Sequence, residues 1–205
     1  MEVTIQKKIN CSINQNFPNS RIQESRWIKI RLWSIQHQAA YEQLQREGVL
    51  HANENHLFCE EYLRFAYDWM AEQLALRVGK APNDVHYPIW AWYQWEGKRK
   101  RPDMRTHRRW CVKGTPIVLL TLEIPDQFVL LSDYDMWHCV LNHGEVSFSG
   151  DIEKTYSERE IRESWSNIFK WYQTDPYWPE SKTTQAVFWE LRKEWVVRSE
   201  LFVSG

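Results

Sequence analysis

Glycine is scarce in this sequence, with seven residues among 205. Phosphate-binding loops need two or three closely spaced glycines, because the loop backbone must approach the phosphate groups. Neither G-x-x-x-x-G-K-[ST] nor G-x-G-x-x-G occurs, and G-x-S-x-G and H-E-x-x-H are missing as well. These absences exclude the glycine-loop nucleotide folds and two common hydrolase motifs.

Cysteine is also infrequent, and none of the four cysteines forms a C-x-x-C pair. Nothing in the sequence suggests export, so we expect reduced thiols. His138, Cys139 and His143 have a spacing that suits two metal ligands, but no second cluster completes a four-ligand set. We therefore predict that the protein holds no metal.

Long apolar runs and an excess of one charge are missing too. No run approaches the roughly 20 residues that span a bilayer, and the N-terminus contains no apolar signal core. The balance of 26 basic and 27 acidic residues leaves a net charge of −1, so the whole surface offers no field for nucleic acid. We predict a cytoplasmic protein without a membrane partner.

Tryptophan, by contrast, is abundant, with 13 residues. Each indole buries a large flat ring and carries one N–H group that needs a hydrogen-bond partner. We expect most of these residues to lie in the core and some of them to line a groove.

The pattern of apolar residues predicts a single α+β domain over residues 26–205, preceded by a polar extension over residues 1–25. The predicted order is β-α-α-β-loop-β-β-α-α-β-β, without the regular β-α alternation of doubly wound folds. We expect a mixed or antiparallel sheet with helices packed on it. The strands at 116–125 and 127–131 are separated by a Pro-Asp turn and are predicted to pair as a hairpin.

Local signals place several helix ends. The helix predicted over Glu60–Val78 has an apolar stripe on one side and ends at Gly79. Ser132 or Asp133 is expected to cap a helix that follows. Ser157 and Glu160 form a capping box at the start of another helix.

The stretch from Trp27 to Leu50 begins as an alternating strand and continues into a helix that Gly48 ends. Arg31 and Trp33 lie on the same side of this strand. One interpretation is an edge-strand arginine that covers a tryptophan ring. The other interpretation is a strand that binds a ligand.

The segment Lys98–Lys113 concentrates basic residues, with a proline and no apolar period. This pattern predicts an exposed, mobile loop, which is either simply solvated or an anion site for phosphate groups. The candidate residues for nucleic-acid or phosphate contact are Lys98, Arg99, Lys100, Arg101, Arg108 and Arg109.

Six phrases together resemble one bacterial family, catalogued as domain of unknown function 3841. They are RLWSIQ, YPIWAWYQWEG, KRPDMR, VLLTLEIP, VLLSDYDMWHCVLN and TQAVFWELR. The resemblance runs from about Ile30 to Phe202 and implies one compact domain, but it implies no activity.

A second resemblance concerns the small toxin type of ADP-ribosyltransferase. The turn Leu44-Gln45-Arg46-Glu47-Gly48-Val49-Leu50 is similar to the turn that follows the first strand of those enzymes, and a late strand holds Gln185 and Glu190. This resemblance implies NAD as co-substrate and Glu190 as the catalytic carboxylate. The residues that it implies for NAD contact are Arg31, Trp33, Ser34, Gln36, Arg105 and Gln185. An ideal strand would place Gln185 and Glu190 on opposite faces, so their meeting would require a bulge.

Two hypotheses from different classes follow. The first is an NAD-dependent ADP-ribosyltransferase-like enzyme that acts on a protein or nucleic-acid acceptor, where a carboxylate stabilises the oxocarbenium-like transition state. The second is a non-enzymatic module that binds RNA, DNA or another phosphate-containing ligand through the basic loop and exposed tryptophans such as Trp92 or Trp110.

Overall fold

The computed structural model describes residues 28–53, 61–107, 111–147, 155–170, 172 and 182–205. The predicted N-terminal extension, residues 1–25, therefore lies outside the described residues. The strands are β1 Lys29–His37, β2 Val49–His51, β3 Ile89–Gln94, β4 Pro116–Pro125, β5 Leu130–Asp133, β6 Thr184–Phe188, β7 Glu190–Arg192 and β8 Val196–Val203. The helices are α1 Gln38–Glu47, α2 Arg64–Arg77, α3 Met104–His107, α4 Tyr134–Leu141 and α5 Glu158–Ser164.

Six of these strands form one antiparallel sheet in the order β5-β6-β3-β1-β4-β8, and β2 pairs with β7 in a separate two-stranded sheet. The α+β class with an antiparallel sheet is confirmed, whereas the predicted order of elements lacks β2 and α3 and joins β6 and β7 into one strand. Because β1 lies between β3 and β4, the interpretation of Arg31 as an edge-strand residue is wrong. Trp33 of β1 lies opposite Trp92 of β3 and Thr121 of β4.

The predicted hairpin between the strands at 116–125 and 127–131 is wrong. β4 pairs with β1 and β8, whereas β5 pairs with β6 at the other side of the sheet. The connecting residues Asp126–Phe128 form a 3-10 turn, and the Asp126 amide donates to the Ile28 carbonyl at 2.9 Å. This turn is anchored beside β1 and does not fold β5 back on β4.

The helix ends follow the local signals in the sequence. Gly48 has the left-handed conformation that ends α1, with φ of 81°, and its amide donates to the Leu44 carbonyl at 2.9 Å. Asp133 caps α4, and Ser157 with Glu160 forms the predicted capping box of α5. The helix predicted over Glu60–Val78 is observed as a 3-10 turn at Glu61–Leu63 followed by α2.

Apolar clusters cover both faces of the large sheet. One joins the sheet to α1 and the small sheet through residues such as Leu32, Leu120 and Ala186. The second joins α2, α4 and the 3-10 turn after α5 through residues such as Val140 and Val187. Within the described ranges, none of the helices combines the length and apolar composition needed to cross a bilayer.

The basic segment is more ordered than its composition predicts. It contains α3, whose Met104 and His107 are 6% and 1% exposed. Met104 packs in a third cluster with Trp33, Ile117 and Leu119. The prediction of an exposed loop without apolar contacts is therefore wrong for this part, because two side chains of α3 anchor the segment on the sheet.

Candidate functional site

A pocket of about 430 Å³ opens on the face of the sheet that α3 and α4 cover, and we call it the aromatic pocket. Pockets of this size hold small organic ligands. Its lining residues are Ile35, Gln36, His37, Tyr67, Trp90, Ala91, Trp92, His107, Cys111, Ile117, Tyr134, Trp137, His138, Leu141 and Gln185.

Strand pairing and a helix cap together place the aromatic walls. Trp92 of β3 lies opposite Gln185 of β6, so these two side chains are neighbours in the sheet. The Trp90 and Trp137 rings are 5.2 Å apart between centroids, and the Trp92 and Tyr134 rings are 4.9 Å apart. α4 therefore closes the pocket over β3 with ring-to-ring contacts, which fix the positions of flat side chains well.

Two polar atoms at the pocket are buried without a hydrogen bond. Gln185 is 3% exposed, and its Nε2 atom has no hydrogen-bond partner among the described residues. The same holds for Nε1 of Trp90. A buried donor without a partner costs about 1–3 kcal/mol, so buried polar groups in folded proteins are nearly always paired. The pocket therefore combines aromatic walls with two buried donors that have no partner among the described residues.

A short hydrogen-bond chain fixes Gln36. Its Nε2 donates to the Ser34 hydroxyl at 2.7 Å, and that hydroxyl donates to the Trp90 carbonyl at 2.8 Å. Ser34 is fully buried, so it supports β1 and β3 and does not line the pocket. Of the residues predicted to contact NAD, the pocket contains Gln36 and Gln185.

Three imidazoles, those of His37, His107 and His138, supply further nitrogen atoms. Burial lowers the pKa of His107, which favours its neutral form. Burial also raises the pKa of the Tyr134 hydroxyl, so the phenol stays protonated at neutral pH. None of the described residues that line the pocket is Asp or Glu. The pocket therefore suits a ligand with a flat ring and hydrogen-bond acceptors.

A buried ion pair between Asp133 and Lys182 holds the start of α4, which forms part of the pocket wall. Asp133 Oδ1 accepts hydrogen bonds from the amides of Asp135 and Met136, and Oδ2 lies 2.9 Å from Lys182 Nζ. Asp133 and Lys182 are 3% and 13% exposed at their side chains. The amide of Tyr134 also donates to the Thr183 carbonyl at 3.0 Å, so α4 is bonded directly to the residue that precedes β6.

Glu190 lies outside the aromatic pocket. The chain leaves the large sheet at Trp189, whose indole donates to the Gly79 carbonyl at 2.7 Å, and Glu190 begins β7 of the small sheet. There its Oε1 atom accepts from Arg192 Nε at 2.6 Å, and its Oε2 atom is 3.7 Å from His51 Nε2. The structure does not bring Glu190 to Gln185, because the two residues belong to different sheets.

The other predicted contact residues lie elsewhere as well. Arg31 is bonded to Glu123 at 2.6 Å, and Trp33 is largely buried with the Arg99 guanidinium 5.5 Å from its ring centre. Arg105 is bonded to Asp103 at 2.6 Å. Neither arginine lines the aromatic pocket.

The basic residues of the loop are mostly engaged within the protein. Arg99 donates to the Arg31 carbonyl at 2.7 Å and lies 3.6 Å over the Tyr93 ring. Lys100 contacts Glu96 at 3.0 Å, and Arg101 contacts Glu200 at 2.8 Å. The Lys98 backbone pairs with Trp95, while Arg108 and Arg109 lie outside the described residues. In the described part of the loop, most basic side chains are therefore held by contacts within the protein and do not form a free cationic surface.

Sequence reasoning missed most of the pocket lining. The signal that was present is YPIWAWYQW, a strand that is apolar on both faces, which is typical of a covered strand or of one that lines a pocket. Tyr134, Trp137 and His138 of α4 carried no such signal, because their helix reaches β3 only through the pairing of β5 with β6.

The sequence matches the family described as Domain of unknown function (DUF3841) over residues 31–158. The chain belongs to this family. No curated protein and no solved structure matches it. The matched range of this DUF3841 protein contains most of β1 and all of β3, α3 and α4, whereas β6 with Gln185 follows it.

Proposed function

We propose that this DUF3841 protein binds a nucleotide-type ligand by its planar heteroaromatic ring in the aromatic pocket, with NAD as the first ligand to test. The observation that carries the proposal is the buried Gln185 amide without a partner among the described residues, at a pocket walled by indole and phenol rings. Indole faces stack on flat rings, and a carbonyl on the ring would accept the hydrogen bond that Gln185 offers.

The nicotinamide group of NAD fits this chemistry. It is flat, and its carboxamide has one carbonyl oxygen and one amino group, which complement the two ends of a glutamine side chain. The indole faces attract the positive charge of the oxidised nicotinamide ring, and a pocket of about 430 Å³ holds a ring with its attached sugar.

Transfer of ADP-ribose to a protein or nucleic-acid acceptor is the catalytic form of this proposal. It draws support from the pocket but not from the position of Glu190, which is paired with Arg192 on the small sheet. Binding therefore has the stronger structural support, and catalysis requires a carboxylate that reaches the ring-bound sugar.

Ligand titrations followed by tryptophan fluorescence test the binding proposal, since Trp90, Trp92 and Trp137 line the pocket. We expect NAD and nicotinamide mononucleotide to quench the emission and raise the melting temperature. Gln185→Leu should weaken this binding by about tenfold or more, because the buried amide contact is lost. Gln43→Leu on α1 is the matched control, since Gln43 contacts Glu47 and lies outside the pocket. No response to NAD at millimolar concentration would refute the proposal.

A parallel arm distinguishes the alternative ligand class. If single-stranded RNA stabilises the protein and NAD does not, the aromatic walls bind bases and the module interpretation replaces the NAD proposal. Release of nicotinamide, measured for the wild type, Gln185→Leu and Glu190→Gln, then tests catalysis. Equal turnover in the wild type and Glu190→Gln would remove Glu190 from the reaction while leaving the binding proposal intact.

A further inference from the structure

β8 forms one edge of the six-stranded sheet. It pairs with β4 on one side, and within the described residues no strand pairs with its other side. Three apolar side chains along this strand are exposed, namely Val197 at 52%, Leu201 at 68% and Val203 at 58%. A free edge with exposed apolar residues is a template for pairing with another strand.

The charges on β8 indicate which charged residues a partner strand would need at the opposite positions. Arg198 and Glu200 lie two residues apart and contact each other at 3.2 Å. An antiparallel copy of the same strand, centred on Ser199, places Arg198 of each chain opposite Glu200 of the other. The same register sets Val197 opposite Leu201. Opposite charges and apolar side chains in directly opposed positions are favourable cross-strand pairs.

We propose that β8 is an interface for a second copy of this chain, through antiparallel pairing around Ser199. A two-fold axis suits this edge, because both partners offer the same self-complementary pattern. The ladder between β4 and β8 has an irregularity between Thr121 and Leu122, and Arg198–Val203 pair regularly with β4 beyond it. The regular part includes Arg198, Glu200 and Leu201, whereas Val197 lies at the irregularity itself.

We expect a single pair of edge strands to bury less than the roughly 800 Å² per partner that is typical of stable interfaces. We therefore expect a reversible dimer that forms at micromolar concentration. Sedimentation velocity of the full chain from about 1 to 200 µM should show a concentration-dependent increase in mass. A full chain that stays monomeric over this range would overturn the proposal.

A charge exchange between two variants tests the register. In a homodimer of Arg198→Glu, an acidic residue at position 198 faces Glu200 of the other chain. In a homodimer of Glu200→Arg, a basic residue at position 200 faces Arg198 of the other chain. Each variant alone should associate about tenfold more weakly than the wild type, whereas an equimolar mixture should associate again, because each new charge then faces its opposite. A mixture no stronger than the separate variants would contradict pairing around Ser199.

Matched controls come from an exposed ion pair on α5. Arg159→Glu and Glu163→Arg reverse the charges of a pair at 2.7 Å that lies away from β8, and they should leave self-association unchanged. Circular dichroism of all four variants checks the fold, since Glu200 also contacts Arg101. Leu201→Lys provides a variant that leaves this contact intact, and undiminished association in that variant would also overturn the proposal.

Discussion

Asp133 ties three elements together at one side chain. It ends β5, caps α4 through two backbone amides, and contacts Lys182 just before β6. We expect Asp133→Ala to lower the free energy of unfolding by about 3 kcal/mol, because it removes both the helix cap and the partner of a buried cation. Urea denaturation measures this change. The exposed cap variant Ser157→Ala should cost only about 1 kcal/mol, and equal losses would show that the buried pair adds nothing.

His107 gives the protein a pH dependence with a defined sign. Burial lowers its pKa in the folded state, while the unfolded state keeps the ordinary pKa of about 6.5. Below that pH the unfolded chain binds the proton more readily, so the free energy of unfolding should fall as the pH decreases from about 6.5. His107→Gln should flatten this dependence in denaturation curves between about pH 5 and 7. An unchanged slope in the variant would assign the effect to other histidines.

Elements with strong local signals were predicted well from the sequence. The capping box at Ser157, the cap at Asp133 and the left-handed Gly48 depend on neighbouring residues alone, and all three are present. Strand partners depend on the whole sheet, so the proximity of β4 and β5 in sequence was misleading. α3 was missed because four residues give no helical period to read.

Arg99 in the loop before α3 and Arg105 within α3 differ in the groups that they contact. Arg99 joins the loop to β1 and to the Tyr93 ring, whereas Arg105 contacts its neighbour Asp103 and has a side chain that is 88% exposed. We expect Arg99→Ala to cost about 1–2 kcal/mol of unfolding free energy and Arg105→Ala less than about 0.5 kcal/mol. Denaturant curves compare the two, and faster amide exchange over residues 98–107 should accompany the first. Equal, negligible effects would restore the interpretation of a solvated loop.

At the scale of the whole molecule, the site is assembled from distant parts of the chain. β1, β3, β6 and α4 meet at the aromatic pocket although they span residues 29–188 in sequence. The sequence identified Gln36 and Gln185 through a resemblance and the β3 tryptophans through their pattern. The same resemblance implied Glu190 as the catalytic carboxylate, but the chain leaves the large sheet at Trp189, and this departure has no local signature in the sequence.

The two main apolar clusters lie on opposite faces of one sheet and share its strands. Ala186 belongs to one and its neighbour Val187 to the other, so neither cluster can open without disturbing β6. We expect Leu120→Ala in the first cluster and Val140→Ala in the second to lower the unfolding free energy by about 3 and about 2 kcal/mol. In both variants, unfolding should remain a single transition, with coincident midpoints by circular dichroism and tryptophan fluorescence. Separate midpoints in Val140→Ala would show that the layer formed by α2 and α4 unfolds independently of the sheet. Because α4 lines the pocket, a ligand would then bind only when that layer is folded, and its binding would stabilise the layer.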